Sequence, residues 1–178
     1  MVDLAEIQAA YYMVAATGVL VAAFYYLMVL REQVKNRRIN QTHIVMQTLQ
    51  TYEGMRRWID LMNMEWKDYD DFEKRYGSDV NPDNFANRST MFRFYNAMGY
   101  LVESGLADVE TVHKLNGIGP IWVWAKFEPI IKENRRRYSG KNEYWGMEYL
   151  AGEVLKVKLR DNPSYKVPER FTRYLADK

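Results

Sequence analysis

The sequence contains no cysteine and only two histidines among its 178 residues. Without cysteine the chain forms no disulfide, holds no metal through thiolates and has no thiol nucleophile. Few serines and two histidines also give little material for a nucleophilic triad, and no pair of carboxylates stands out as a general acid and base. We therefore assign no catalytic, cofactor-binding or metal-binding residue and expect a protein that is not an enzyme.

The sustained alternation typical of β-strands is also missing, as are internal repeats and low-complexity tracts. All 25 basic residues and all but two of the 23 acidic residues follow residue 30, which gives that part of the chain a net charge of +4. Such a small excess argues against a dedicated nucleic-acid-binding protein, so nucleic acid is not an expected partner. The predicted fold class is all-α.

The longest feature of the sequence is an uncharged apolar run of 24 residues, from Ile7 to Leu30. As a helix it would be about 36 Å long, enough to cross a hydrocarbon core of about 30 Å. A cleaved signal peptide would need a basic start and a shorter apolar core, whereas Asp3 and Glu6 make this start acidic. We predict an uncleaved transmembrane helix, with residues 1–30 as the anchor.

Basic residues flank the predicted anchor only at its C-terminal end. Four of them lie within eight positions of the apolar run: Arg31, Lys35, Arg37 and Arg38. The positive-inside rule then places the N-terminus outside the cell and the soluble domain in the cytoplasm. The expected location is the cell membrane, in a single-pass topology, and the first expected partner is the lipid bilayer.

One face of the predicted span carries the small residues Ala15, Gly18 and Ala22. Small side chains let a neighbouring helix approach closely, and they are common where helices associate in lipid. The alternative is that alanine is simply frequent in apolar helices. A packing role predicts other integral-membrane subunits as partners.

Apolar residues recur at intervals of three and four after the anchor, which predicts a helix with one buried stripe. The stripe consists of Val45, Leu49, Tyr52, Met55, Ile59, Met62 and Trp66. No proline or glycine lies between Arg31 and Gly54, so the anchor helix is expected to continue directly into the soluble part.

Capping and turn residues divide the remaining chain into further helices. Asn81-Pro82 predicts an N-cap with proline at the first helical position, and Gly105 predicts the end of that helix. The other predicted helices are 109–115 capped by Asp108, 120–137 with a kink or break at Pro129, 142–160 capped by Asn142, and a short final helix at 169–175. We divide the chain into the anchor, a soluble helical domain at 31–160 and an extended tail at 161–178.

Two local patterns resemble functional motifs. Glu110 and His113 share a helix face, as in di-iron carboxylate bundles, but the second such pair and the further glutamates of those sites are missing. The loop from Asn116 to Pro120 precedes a helix but lacks the strand, third glycine and lysine of phosphate-binding loops. A surface helix pair and a helix-to-helix turn are the preferred interpretations.

Arg135, Arg136 and Arg137 close the helix predicted to end at residue 137, where the helix dipole favours cations. A solvated helix end is the simpler interpretation. The functional alternative joins them with the four basic residues after the anchor in a surface for anionic lipid or an acidic partner.

Several stretches together resemble a known family. They are Phe94-Tyr95-Asn96, Leu101 to Leu106, Asp108, Trp124 to Pro129 and the arginines at 135–137. The pattern is similar to an uncharacterised prokaryotic family of single-pass membrane proteins with a helical cytoplasmic domain, over about residues 40 to 160. An acid expected shortly after Asn96 is replaced here by Ala97 and Met98. The resemblance implies no activity and no catalytic residue.

These observations favour a non-catalytic accessory or structural subunit of a larger integral-membrane complex. A membrane oxidoreductase or monooxygenase assembly is one conceivable host. The alternative is a freestanding membrane-tethered regulator or adaptor, which binds anionic lipid, RNA or an acidic partner through basic helix ends.

Overall fold

The structure is a computed structural model that describes residues 3–138 and 140–175, without the side chains of residues 37–46, 48 and 175. The described residues form helices and connecting turns and contain no strand, which confirms the predicted all-α class. The helices are α1 (Leu4–Leu49), α2 (Tyr52–Met62), α3 (Tyr69–Tyr76), α4 (Pro82–Glu103), α5 (Val109–Asn116), α6 (Gly119–Tyr138), α7 (Trp145–Asp161) and α8 (Glu169–Thr172), with a 3-10 turn at Arg173–Leu175.

The chain separates into two compact units, residues 1–40 and 41–178. Within the first unit the backbone is helical from Leu4 onward, and the boundary between the units falls inside α1. The prediction that the helix continues past Arg31 is therefore confirmed.

Local sequence explains most helix ends of the second unit. The Asn81 side chain accepts a hydrogen bond from the Asn84 amide at 3.1 Å and Pro82 opens α4, as predicted. The Asp108 carboxylate caps α5 in the same way, through the Thr111 amide at 2.9 Å.

The predicted stripe is wrong at three of its positions, all in α2. Trp66 is buried as predicted, Leu49 and Met62 are half-buried, and the side chain of Val45 lies outside the described residues. Tyr52, Met55 and Ile59 are exposed, at 78%, 50% and 42% of their surface. The reason is an interruption after Leu49, where the Thr51 hydroxyl accepts from the Gly54 amide at 3.0 Å and starts a new helix. This restart shifts the inward face of α2 to Gly54, Trp58 and Leu61.

Two further boundaries differ from the prediction. Of the kink or break predicted at Pro129, the break does not occur: helix α6 continues through this residue, because the buried Phe127, Ile130 and Ile131 on either side hold it in the core despite the lost backbone hydrogen bond. Asn142 does not cap the last long helix. Residues 141–144 form turns instead, and α7 starts at Trp145 after Tyr144 in the left-handed region, with φ of 53°.

The core of the second unit is centred on the α4 and α7 pair. Gly99 and Gly146 lie where the two backbones meet, since a Cβ built on Gly99 would fall 1.7 Å from the Gly146 carbonyl oxygen. Helix α6 packs on α7 and is covered by α8 and the final 3-10 turn. The largest fully buried side chains are Tyr95, Phe72, Lys126, Phe127 and Met91.

Candidate functional site

Helix α1 contains the one candidate membrane span in the part of the chain that the structure describes. The candidate segment is Leu4–Asn36, its most apolar 18-residue window has a mean hydropathy of 2.1, and none of that window is buried. The Thr17 hydroxyl donates to the Met13 carbonyl at 2.8 Å, so this polar group is satisfied within the helix. By length and composition the helix can cross a membrane.

The small residues of the span lie on an uncovered helix surface. Ala15, Gly18 and Ala22 are all exposed. Apart from the helix's own neighbouring backbone, no described atom lies within 4 Å of the place that a Cβ on Gly18 would take. The structure thus leaves room for a close neighbour at Gly18.

The basic residues that follow the uncharged run of residues 7–30 are only partly described. Arg31 and Lys35 are exposed and form no ion pair with another described residue. The side chains of Arg37 and Arg38 lie outside the described residues.

The three arginines at the end of α6 each pair with a carboxylate. Arg135 contacts Glu148 at 2.7 Å and donates to the Glu143 carbonyl at 2.8 Å, which ties α6 to the start of α7. Arg136 and Arg137 both bind Glu133, at 2.5 and 2.7 Å. Their hydrogen bonds lower the pKa of the Glu133 carboxyl to about 2.

Arg137 also reaches a second helix. It pairs with Asp70 of α3 at 2.9 Å, and its guanidinium lies 4.2 Å from the ring centre of Tyr69. The three arginines considered as part of a basic surface therefore form ion pairs within the domain.

Glu110 and His113 also have structural partners. Glu110 accepts a hydrogen bond from Arg160 at 2.7 Å, and the His113 Nδ1 lies 2.9 Å from the Gly117 carbonyl oxygen at the end of α5. Among the described residues, no group of three acidic, histidine or cysteine side chains could hold a metal ion.

Lys126 is the most unusual charged residue of the domain. It is only 1% exposed, and its ammonium donates to the Met62 carbonyl at the end of α2. The Nζ atom lies 5.4 Å from the ring centre of Trp66 and 5.8 Å from that of Tyr174. Burial, together with the charge of Arg173, lowers the pKa of Lys126 to about 8.

The final 3-10 turn covers this buried lysine. Tyr174 stacks on Trp66 with the ring centres 4.2 Å apart, and Arg173 pairs with Glu65 at 2.6 Å. The hydrogen bond from Arg173 lowers the pKa of the Glu65 carboxyl. The stacked Tyr174 and Trp66 rings and the Arg173–Glu65 ion pair thus cover the lysine. A surface cavity of about 450 Å³ lies beside these residues.

A second cavity of the domain, here called the uncharged cavity, has about 320 Å³ and lies between α2, the end of α1 and the α5–α6 loop. Its lining residues are Leu49, Gln50, Met55, Trp58, Tyr95, Leu115, Asn116, Gly117, Ile118, Gly119 and Trp122. None of them is acidic or basic. The Nδ2 atom of Asn116 is buried there and has no hydrogen-bond partner among the described residues.

Sequence reasoning missed both interior features. The signal for Lys126 was its place three residues after Val123 and four before Ile130, a spacing that puts it on the buried face of α6. The signal for the uncharged cavity was weaker. The loop from Asn116 to Pro120 was predicted as a turn, and Gly117 adopts a positive φ of 59° there. The residues that form the rest of the cavity wall come from distant parts of the chain, which the loop sequence does not indicate.

The fold defines a class: an all-α protein with one long apolar N-terminal helix and a small helical domain. The model of one family matches residues 12–154, a stretch that overlaps the resemblance at about 40–160 and starts earlier in the chain. The chain belongs to this family, which is described as Domain of unknown function (DUF4760). No curated protein and no solved structure matches the chain.

Proposed function

We propose that this chain is a single-pass accessory or structural subunit of a larger integral-membrane complex. The observation that carries the proposal is the uncovered apolar helix, whose window is 0% buried and whose Gly18 has open space beside it. In lipid, helices associate through close packing of such small residues rather than through the hydrophobic effect. A second helix of the host complex would fill that space.

The same proposal places the helical domain in the cytoplasm. Arg31 and Lys35 follow the uncharged run of residues 7–30 and are exposed, which supports an inside position for this end under the positive-inside rule.

A tethered regulator that binds anionic partners through its basic helix end has less support. Arg135, Arg136 and Arg137 are already paired with carboxylates of the domain, and binding a new anion there would have to compete with Glu133, Glu148 and Asp70.

The first experiment is extraction of native membranes with mild detergent, followed by native gel separation and mass spectrometry. Co-migration with stoichiometric membrane subunits is the expected result. The variant Gly18→Leu should leave the complex, because its side chain blocks the close approach. Ala16→Leu is the matched control, since two residues correspond to about 160° around the helix. Normal assembly of Gly18→Leu, or equal loss with Ala16→Leu, would contradict docking at this face.

Orientation is tested by labelling introduced cysteines, because the natural chain has none. A membrane-impermeant maleimide should label Asp3→Cys in intact cells and Ser164→Cys only after permeabilisation. Labelling of Ser164→Cys in intact cells would reverse the proposed topology.

A further inference from the structure

The uncharged cavity combines apolar walls with lining residues that carry buried hydrogen-bond donors. We propose that it is a binding site for a small, neutral, largely apolar molecule that carries a carbonyl oxygen. The juxtaposition behind this assignment is the unpartnered Asn116 amide nitrogen beside an uncharged pocket lined by Trp58 and Trp122.

Two residues of the cavity lining, Asn116 and Tyr95, carry hydrogen-bond donors. The Asn116 Nδ2 is buried with no acceptor among the described residues, and leaving such a group unpaired is costly. Nearby, burial raises the pKa of the Tyr95 phenol, while a hydrogen bond from the Trp58 indole N–H acts in the opposite direction. With its oxygen accepting from Trp58, the Tyr95 hydroxyl keeps its own proton to donate. Donors of this kind select an acceptor, and a carbonyl oxygen is the simplest neutral one.

The remaining wall selects against charge. Because no lysine, arginine, aspartate or glutamate lines the cavity, a carboxylate or an ammonium group would lose its hydration without gaining a counter-charge. The Trp58 and Trp122 rings lie with centres 6.2 Å apart and offer extended apolar surface. A volume of about 320 Å³ falls within the usual range for small-molecule sites. A neutral ring system with one carbonyl meets all three conditions.

Gly119 provides a way to crowd the Tyr95 hydroxyl. A Cβ built on this residue would lie 3.2 Å from the Tyr95 hydroxyl oxygen and 3.9 Å from the Trp58 indole nitrogen. Its backbone is helical with no positive φ, so Gly119→Ala suits the helix while it places a methyl group beside the Tyr95 hydroxyl. Gly152→Ala is the matched control, because Gly152 is an exposed glycine of α7 with nothing within 4 Å of its Cβ position.

The test uses the full chain in nonionic micelles, with isotope-labelled tryptophan indoles observed by NMR. The probes are acetylnaphthalene and ethylnaphthalene, which share a ring system but differ in the carbonyl. Micelle concentration is held constant, so that partition into detergent is the same for every variant. The indole signals of Trp58 and Trp122 should shift on titration, whereas that of Trp145, which does not line the cavity, should not.

Wild-type protein should bind acetylnaphthalene about fivefold more tightly than ethylnaphthalene, as one net hydrogen bond provides. Asn116→Leu should bring this preference below about twofold, and Tyr95→Phe repeats the test with a variant that keeps the buried ring. Gly119→Ala should weaken acetylnaphthalene about tenfold and Gly152→Ala should not. Equal affinity for the two probes, or shifts spread equally to Trp145, would overturn the proposal. Full affinity in Gly119→Ala would overturn it as well.

Discussion

The buried ammonium of Lys126 predicts that the stability of the helical domain rises with pH. Burial lowers the pKa of Lys126 to about 8 in the folded protein, whereas the ordinary value is 10.5. Between these values the unfolded chain holds a proton that the folded chain has released. Because the unfolded state then binds more protons, the free energy of unfolding increases with pH across this window.

The size of the effect follows from the two pKa values of Lys126. A tenfold change in a proton-binding constant corresponds to about 1.4 kcal/mol, so the whole difference between folded and unfolded chain is about 3 kcal/mol. Between about pH 7 and 9.5 the Lys126 contribution should become more favourable by about 2 kcal/mol. The window ends below about pH 10, since burial raises the pKa of the Tyr69, Tyr95 and Tyr144 phenols and their stabilising contribution is lost as pH rises further.

The assay is urea unfolding of the full chain in nonionic detergent, followed by tryptophan fluorescence at several pH values in this window. Between about pH 7 and 9.5 the free energy of unfolding should rise by about 2 kcal/mol more in the wild type than in Lys126→Met, because methionine fills a similar space and has no proton to release. Lys132→Met is the control, since Lys132 lies on the same helix with its side chain 49% exposed and pairs with Glu128. It should keep the wild-type pH dependence.

Parallel stability curves for the wild type and Lys126→Met would refute this reasoning. They would mean that Lys126 keeps its ordinary pKa in the folded state, through water or a structural change that relieves its burial. A loss of pH dependence in both lysine variants would equally show that the effect does not belong to the buried position.

Three further predictions concern single contacts. Gly99→Ala should lower the free energy of urea unfolding by about 3 kcal/mol or more, since its Cβ meets the Gly146 backbone. Gly152→Ala should instead raise it by about 0.5–1 kcal/mol, and equal effects of the two variants would contradict the close crossing of α4 and α7. Thr51→Ala should cost about 1 kcal/mol by the same measurement, and no loss would show that this cap is dispensable. The Glu133 carboxyl should titrate at about pH 2 by carbon NMR and move upward in Arg136→Gln; an unchanged midpoint would exclude that ion pair.

Local signals made some of these helices predictable and left others beyond reach. Asn81-Pro82 and Asp108 specify helix starts because a side-chain acceptor and its target amide are three residues apart, so no distant contact is needed. The same reasoning failed at Asn142, where turns from residue 141 onward set the start of α7. It failed at Met55 and Ile59 because a new helix begins after Thr51, which turns a different set of residues toward the core.

The interior sites depended on tertiary contacts that spacing does not encode. The position of Lys126 on α6 indicated a buried face, but its cover by Tyr174 and its bond to Met62 join residues far apart in the chain. The uncharged cavity likewise needs α2 and the loop after α5 to meet. The long apolar helix was the opposite case, since its length and uncharged composition are properties of one continuous segment.

The glycine contact between α4 and α7 has a mechanical consequence. The two backbones touch directly at Gly99 and Gly146, and the Gly146 amide donates to the Asn96 side chain at 2.9 Å. We therefore expect this helix pair to resist sliding and slow internal motion to be confined to the elements packed around it. Helix α2 borders one cavity and the final 3-10 turn borders the other, so these are the parts whose opening we expect to admit solvent to the interior.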